Sequence, residues 1–93
     1  MILSFHCKET EVIFHRGRSK KLPPEIHRVA LRKLLQIHAS TVLDSLKIPP
    51  GNRLEELKKG RSGQHSIRIN DQWRICFKWD NGNARDVEIV DYH

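Results

Sequence analysis

The chain has 93 residues and a formal net charge of +6, a length that allows one domain with a thin core. Hydrophobic residues make up 38% and charged residues 30%, which excludes a disordered polyelectrolyte and fits a soluble globular fold. No apolar run approaches the roughly 18–20 residues of a membrane helix, and Met1 to Phe5 is too short for a signal-peptide core, so the expected location is the cytoplasm with no membrane partner.

In chain order, Leu3, Phe5 and Cys7 alternate with Ile2, Ser4 and His6 and predict a short strand. Lys8 to Arg16 reads as a helix around Val12, Ile13 and Phe14, with Gly17 as its stop. Pro23-Pro24 opens the main helix, because a first-turn proline loses no hydrogen bond. Ile26, Val29, Ala30, Leu34 and Ile37 recur at spacings of three and four, widened by Leu31 and Leu35. They form one apolar face on a helix running to about Ala39. Arg28, Arg32 and Lys33 are expected mostly outside that face. Thr41 to Leu46 adds a further turn, and Ile48-Pro49-Pro50-Gly51-Asn52 breaks the helical character.

After Gly51 the pattern turns to strands. Glu55-Glu56, bracketed by Leu54 and Leu57, reads as a short strand, and Lys58 to Gln64 as a loop with two glycines. Ser66 to Ile69 is a strand, followed by the tight turn Asn70-Asp71. Trp73, Ile75, Phe77 and Trp79 then alternate with Arg74, Cys76 and Lys78, the strongest periodic signal in the chain. A second turn, Asp80 to Asn83, leads to a last strand from Val87 to Tyr92. Tight turns imply antiparallel neighbours. The expected class is α+β: a small, mostly antiparallel sheet of four to five strands with two helices on one face, in a single domain over residues 1–93.

Cys7 and Cys76 make neither a disulfide framework nor a CxxC motif, and the histidines lack metal-type spacing. No metal and no cofactor are expected. Charge is unevenly spread. From Arg53 to Lys78 there are seven Lys/Arg against three acids, and from Asp80 to His93 four acids against one Arg. That distribution suits a phosphate-binding face with carboxylates nearby; it equally suits a solvated mixed surface.

If the Trp73/Ile75/Phe77/Trp79 face packs on the helices, Arg74 faces away from them. Arg68 lies on the partner strand, with its face set by a register the residues do not determine. A guanidinium on a rigid strand suits forking onto a phosphate, and suits equally an ion pair on an open sheet face. Lys58, Lys59 and Arg61 are candidates to grip an RNA backbone, against the commoner solvated loop. Asp91, Tyr92 and His93 follow strand-like residues. A carboxylate, a phenol and an imidazole suit RNA cleavage, where one group takes the 2′-OH proton and another protonates the leaving 5′-oxygen. Glu55 and Glu56 form another acid pair, for which solvation is the plainer reading.

The stretch Pro50-Gly51-Asn52-Arg53-Leu54-Glu55, the block from Ser66 to Phe77 and the closing Asp91-Tyr92-His93 resemble HigB-type toxins of the RelE/ParE superfamily. Ser4-Phe5 through Phe14 and Ser19 to Pro23 are also similar, so the resemblance covers essentially the whole chain. It implies a type II toxin with a RelE-like fold, cutting mRNA in the ribosomal A site by metal-free 2′-OH attack. It also implies a HigA-type helix-turn-helix antitoxin partner, with operator DNA contacted only through that antitoxin. Carried over by residue, Asp91, Tyr92 and His93 are the catalytic triplet. Arg74 matches the family arginine and would stabilise the phosphate, and Lys58 matches the lysine of the family's basic loop; Lys59, Arg61 and Arg68 remain RNA-binding candidates on charge and position. Some HigB toxins have a histidine where this chain has Glu55, which makes Glu55 a candidate acid/base substitute, and Lys59-Gly60 replaces the Gly-Asp of many relatives. The alternatives are a ParE-like inhibitor of DNA gyrase, and a weakly active toxin serving mainly in operon repression with its antitoxin.

Overall fold

Two helices come first in the chain. The computed structural model describes residues 1–58 and 63–91. Helix α1 spans Lys8–Phe14, with Glu9 and Glu11 in its first turn, where acids oppose the positive end of the helix dipole. It stops two residues short of the expected Arg16. Gly17 N–H bonds to the Val12 carbonyl at 2.8 Å and Arg16 N–H to Ile13 at 2.9 Å, the Schellman pattern. The left-handed residue of that cap is Arg16, at φ 67°. Gly17 serves close approach instead, since a Cβ there would lie 2.9 Å from Val12 Cγ1.

Helix α2 spans Pro24–Ala39. Ile26, Ala30, Leu34 and Ile37 are buried as their spacing predicts, whereas Leu35 is exposed. Lys33, expected outside the stripe, is buried within it at 7% exposure. It lies seven residues after Ile26 and four before Ile37, on the same side of the helix. Its Nζ donates to Asn52 Oδ1 at 2.8 Å and to the Arg68 carbonyl at 2.7 Å, which compensates for the removal of an ammonium from water. The turn expected after Thr41 is a separate 3₁₀ segment, Leu43–Lys47, followed by another over Pro50–Asn52.

Strands β1 (Glu55–Glu56), β2 (Gln64–Arg68), β3 (Trp73–Asp80) and β4 (Asn83–Asp91) form one sheet in sequence order. Every neighbour is antiparallel. Asn70 closes the β2–β3 turn, its Oδ1 accepting the N–H groups of Gln72 and Trp73. Asn81 and Gly82 join β3 to β4, both with positive φ, as a two-residue hairpin of the right twist requires. The expected N-terminal strand is reduced to two parallel bridges, Ile2 with Ala84 and Phe5 with Val87. Ile2 N–H also bonds to His38 Nδ1 on α2 at 3.1 Å. Between the bridges β4 bulges, with Asp86 and Val87 opposite Phe77. Asp86 takes φ 52°, and its N–H is received by Ser4 Oγ at 2.9 Å. The bulge turns the strand just where the N-terminal segment must pair, and so interrupts a regular fifth strand.

The core lies between the helices and one sheet face. Ile67, Ile75 and Phe77 from the sheet meet Ala30, Leu34 and Ile37 from α2, all at 0% exposure. The alternation of β3 therefore has the predicted sense, and Arg74, Cys76 and Lys78 lie on the opposite face, where Arg74 and Cys76 are nevertheless buried.

Candidate active site

Pairing settles which side chains share the face of Arg74. Arg68 is opposite Arg74, and Ser66 is opposite both Cys76 and Glu55. Side chains alternate along each strand, so Glu55, Ser66, Arg68 and Arg74 project to one side. Arg74 sits near the middle of this set, in the second of the eight residues of β3.

The Arg74 guanidinium is held rather than waving in solvent. The residue is only 6% exposed, and Ser66 and Cys76 on the same face are buried too. Nε donates to Ser66 Oγ at 2.8 Å, and Nη2 donates to the Arg53 carbonyl at 2.6 Å and to the Ser66 carbonyl at 3.3 Å. Glu55 Oε2 lies 3.9 Å from Nη2. The ion-pair reading of Arg74 thus holds in part, beside the bonds to the neutral oxygens of Ser66 and Arg53. A guanidinium so oriented keeps its positive charge and its plane fixed, the preorganisation that stabilises a phosphate gaining charge. Arg68 is half-buried and paired with Asp71.

Arg53 contributes through its backbone. It follows the Pro50–Asn52 turn in a left-handed conformation, φ 46° and ψ 58°, and that geometry aims its carbonyl at Arg74. Buried Asn52 anchors the turn. Its Nδ2 donates to the Leu46 carbonyl at 3.1 Å and to Gln36 Oε1 at 3.0 Å, while its Oδ1 takes Lys33 Nζ. Burial, together with the cations Arg32, Arg68 and Arg74, pushes the Lys33 pKa down.

The other candidates are placed less closely. Lys58 is exposed just after Leu57, whose N–H bonds back to Gln64. Asp91 ends β4 opposite Trp73, while Val90 is the residue opposite Arg74. By the pleat, Asp91 therefore projects to the side away from Arg74, and Gln72 Nε2 donates to its Oδ2 at 3.0 Å. Tyr92 and His93, and likewise Lys59 and Arg61, lie outside the described residues. Among the described residues no three His, Cys, Asp or Glu side chains converge as metal ligands, and no helix is long and apolar enough to cross a membrane.

Ser66, Asn52, Lys33 and the Arg53 carbonyl were not anticipated from the sequence. Lys33 had a readable signal, its place in the α2 stripe. Asn52 read only as part of a helix-breaking stretch, and the direction of a carbonyl leaves no trace in composition.

The architecture is that of RelE-like toxins. The structure of YafQ from E. coli aligns with 98% of this chain and 93% of its own, at a TM-score of 0.57 and 9% identity. The YoeB–YefM complex from Staphylococcus aureus aligns with 100% of this chain and 98% of its own, at 0.55 and 17% identity. Such identities speak for the fold alone. Sequence is more specific: residues 3–93 match the HigB-like toxins, the RelE-like toxin of the type II toxin–antitoxin system HigB, and the chain belongs to that family. It is 38% identical over 90 residues to Toxin HigB-1 of Vibrio cholerae, covering 96% of this chain and 95% of that one. It is 33% identical over 94 residues to Endoribonuclease HigB of Proteus vulgaris, covering 100% of both.

Proposed function

We propose that this toxin, acting as one domain over residues 1–93 in the cytoplasm, is an endoribonuclease that cuts mRNA in the ribosomal A site without a metal. The full-length similarity to a protein named as an endoribonuclease carries the reading. The buried, hydrogen-bonded Arg74 guanidinium supports it chemically.

In the proposed reaction the ribose 2′-oxygen attacks phosphorus and the bond to the 5′-oxygen breaks, leaving a 2′,3′-cyclic phosphate and a 5′-hydroxyl. The 2′-OH proton passes to a base, and His93 returns a proton to the departing 5′-oxygen. Arg74 stabilises the extra negative charge on the phosphate. Lys58, Lys59, Arg61 and Arg68 position the RNA backbone, and Tyr92 orients or stacks on the nucleotide. Asp91 faces away from Arg74 and is bonded by Gln72, so orientation of the terminal imidazole suits it better than contact with the phosphate. Glu55, 3.9 Å from Arg74, is then the carboxylate on the phosphate side and the candidate base. The ribosome supplies the ordered substrate, which lowers the cost of alignment. A HigA-type antitoxin with a helix-turn-helix binds the toxin, and the pair represses its operon through the antitoxin's DNA contacts.

Primer extension on an mRNA undergoing translation is the test. Cuts at A-site codons that vanish in His93→Gln, and that are strongly slowed but still measurable in Arg74→Ala, are expected. Growth arrest with intact mRNA and poisoned gyrase would instead select the ParE-like alternative.

A further inference from the structure

We infer that Lys33 and Asn52 are positioning residues for the Arg74 guanidinium, an inference that rests on the role for Arg74 proposed above. Neither residue belongs to a strand of the sheet. Their connection to Arg74 is a chain of hydrogen bonds through the sheet edge.

Lys33 occupies a core position of α2 that a leucine or methionine would fill without desolvating a charge. Burial and three nearby guanidinium groups, on Arg32, Arg68 and Arg74, all disfavour its ammonium form. What the ammonium does in return is specific. One bond goes to the carbonyl of Arg68, the residue directly across the ladder from Arg74. The other goes to Asn52 Oδ1, at 0% exposure. A single cation therefore ties together the strand beside Arg74 and the turn behind it.

Asn52 passes this constraint on. Its side chain is bonded on both ends, to Lys33 on one and to the Leu46 carbonyl and Gln36 Oε1 on the other. Its own N–H is tied to the Pro49 carbonyl at 2.9 Å. The next residue is Arg53, left-handed, whose carbonyl receives Nη2 of Arg74 at 2.6 Å. A carbonyl points where the ψ of its residue sends it, and non-glycine residues hold left-handed geometry only where their surroundings impose it. With Asn52 released, Arg53 is free to relax, and Nη2 loses the carbonyl that receives it at 2.6 Å. The expected result is a guanidinium still present but misaimed, a kind of fault that costs up to about 100-fold in rate.

The experiment measures single-turnover cleavage of ribosome-bound mRNA by the full chain, alone and in a double-mutant cycle. Lys33→Met, verified as folded by its thermal transition, is expected to slow cleavage roughly 10–100-fold. In an Arg74→Ala background the same change is expected to add nothing. The Arg74 Nε–H signal in a ¹⁵N correlation spectrum should shift in Lys33→Met while core amide signals stay in place. A merely structural role for Lys33 would slow both backgrounds equally and leave that signal unmoved; either result, or an unslowed Lys33→Met, overturns the inference. If Arg74→Ala itself cleaves at the parental rate, the role of Arg74 falls and this inference with it. Should Lys33→Met not fold, Asn52→Asp replaces it in the cycle. Asp has the same size and still accepts from Lys33, but it loses the Nδ2 donors that hold the turn.

Discussion

Replacing Arg74 with lysine keeps the charge and removes the fork. In the structure the guanidinium uses two different nitrogens at once, Nε at 2.8 Å from Ser66 Oγ and Nη2 at 2.6 Å from the Arg53 carbonyl. An ammonium is a compact donor on a flexible stem and lacks the rigid planar fork whose Nε and Nη2 hold these two oxygens in fixed directions. The lost bond is charge-assisted and buried, a loss of about 1.5–3 kcal/mol. For a chain of this size that lowers Tm by roughly 10 °C. The rate should fall further than charge alone predicts. Loss of one oriented donor to a developing oxyanion slows catalysis by about 100-fold or more, whereas a site needing only net positive charge would hardly notice. Melting curves and single-turnover cleavage of ribosome-bound mRNA measure both effects on one preparation. An Arg74→Lys protein that cleaves within about threefold of the parent would refute the claim that planar orientation of the guanidinium matters.

Three other outcomes are expected. Lys33 has a lowered folded-state pKa from burial and neighbouring cations. The unfolded chain therefore binds its proton up to higher pH than the folded one. Stability contributed at this position should rise as pH climbs through the folded pKa toward the unfolded value, a trend in urea midpoints that Lys33→Met should lack. Phe77, at 0% exposure in the centre of the core, should cost about 3–5 kcal/mol when cut to alanine, measured by denaturant unfolding. Gly82→Ala should destabilise by about 1–2 kcal/mol, because the turn needs φ 77° there. Its Cβ would also lie 3.0 Å from the Thr41 carbonyl.

Much of the fold was legible because it depends on local chemistry. The α2 stripe, the alternation of Trp73 through Trp79 and the Asn81-Gly82 turn each encode one element within a few residues, and each appears where its pattern predicts. Errors came where distant parts of the chain intervene. Lys33 read as a solvent-facing cation because nothing near it in sequence reveals Asn52, 19 residues away, as its partner. The N-terminal strand read as regular because its alternation ignores the bulge at Asp86 with which it must pair. At the site, the face of Arg74 followed from alternation, but that of Arg68 waited on the register of the β2–β3 pair.

The terminal triplet illustrates the same boundary. Strand propensity carried the prediction from Val87 to Tyr92; β4 reaches Asp91, the last described residue. That Asp91 stands opposite Trp73, with Val90 taking the place across from Arg74, depends on the bulge in β4, which shifts the later residues by one against β3.

From residue order alone came the class of fold, the helix and strand periods, the family resemblance and the side of β3 on which Arg74 lies. Those properties are local, set by side-chain spacing and turn chemistry. Tertiary structure decided that Arg74 is buried and gripped by a carbonyl 21 residues away in sequence, and that a lysine belongs inside the core. Both depend on which distant backbone oxygens converge, and hydrogen-bond direction in three dimensions is not a property of any short stretch of chain.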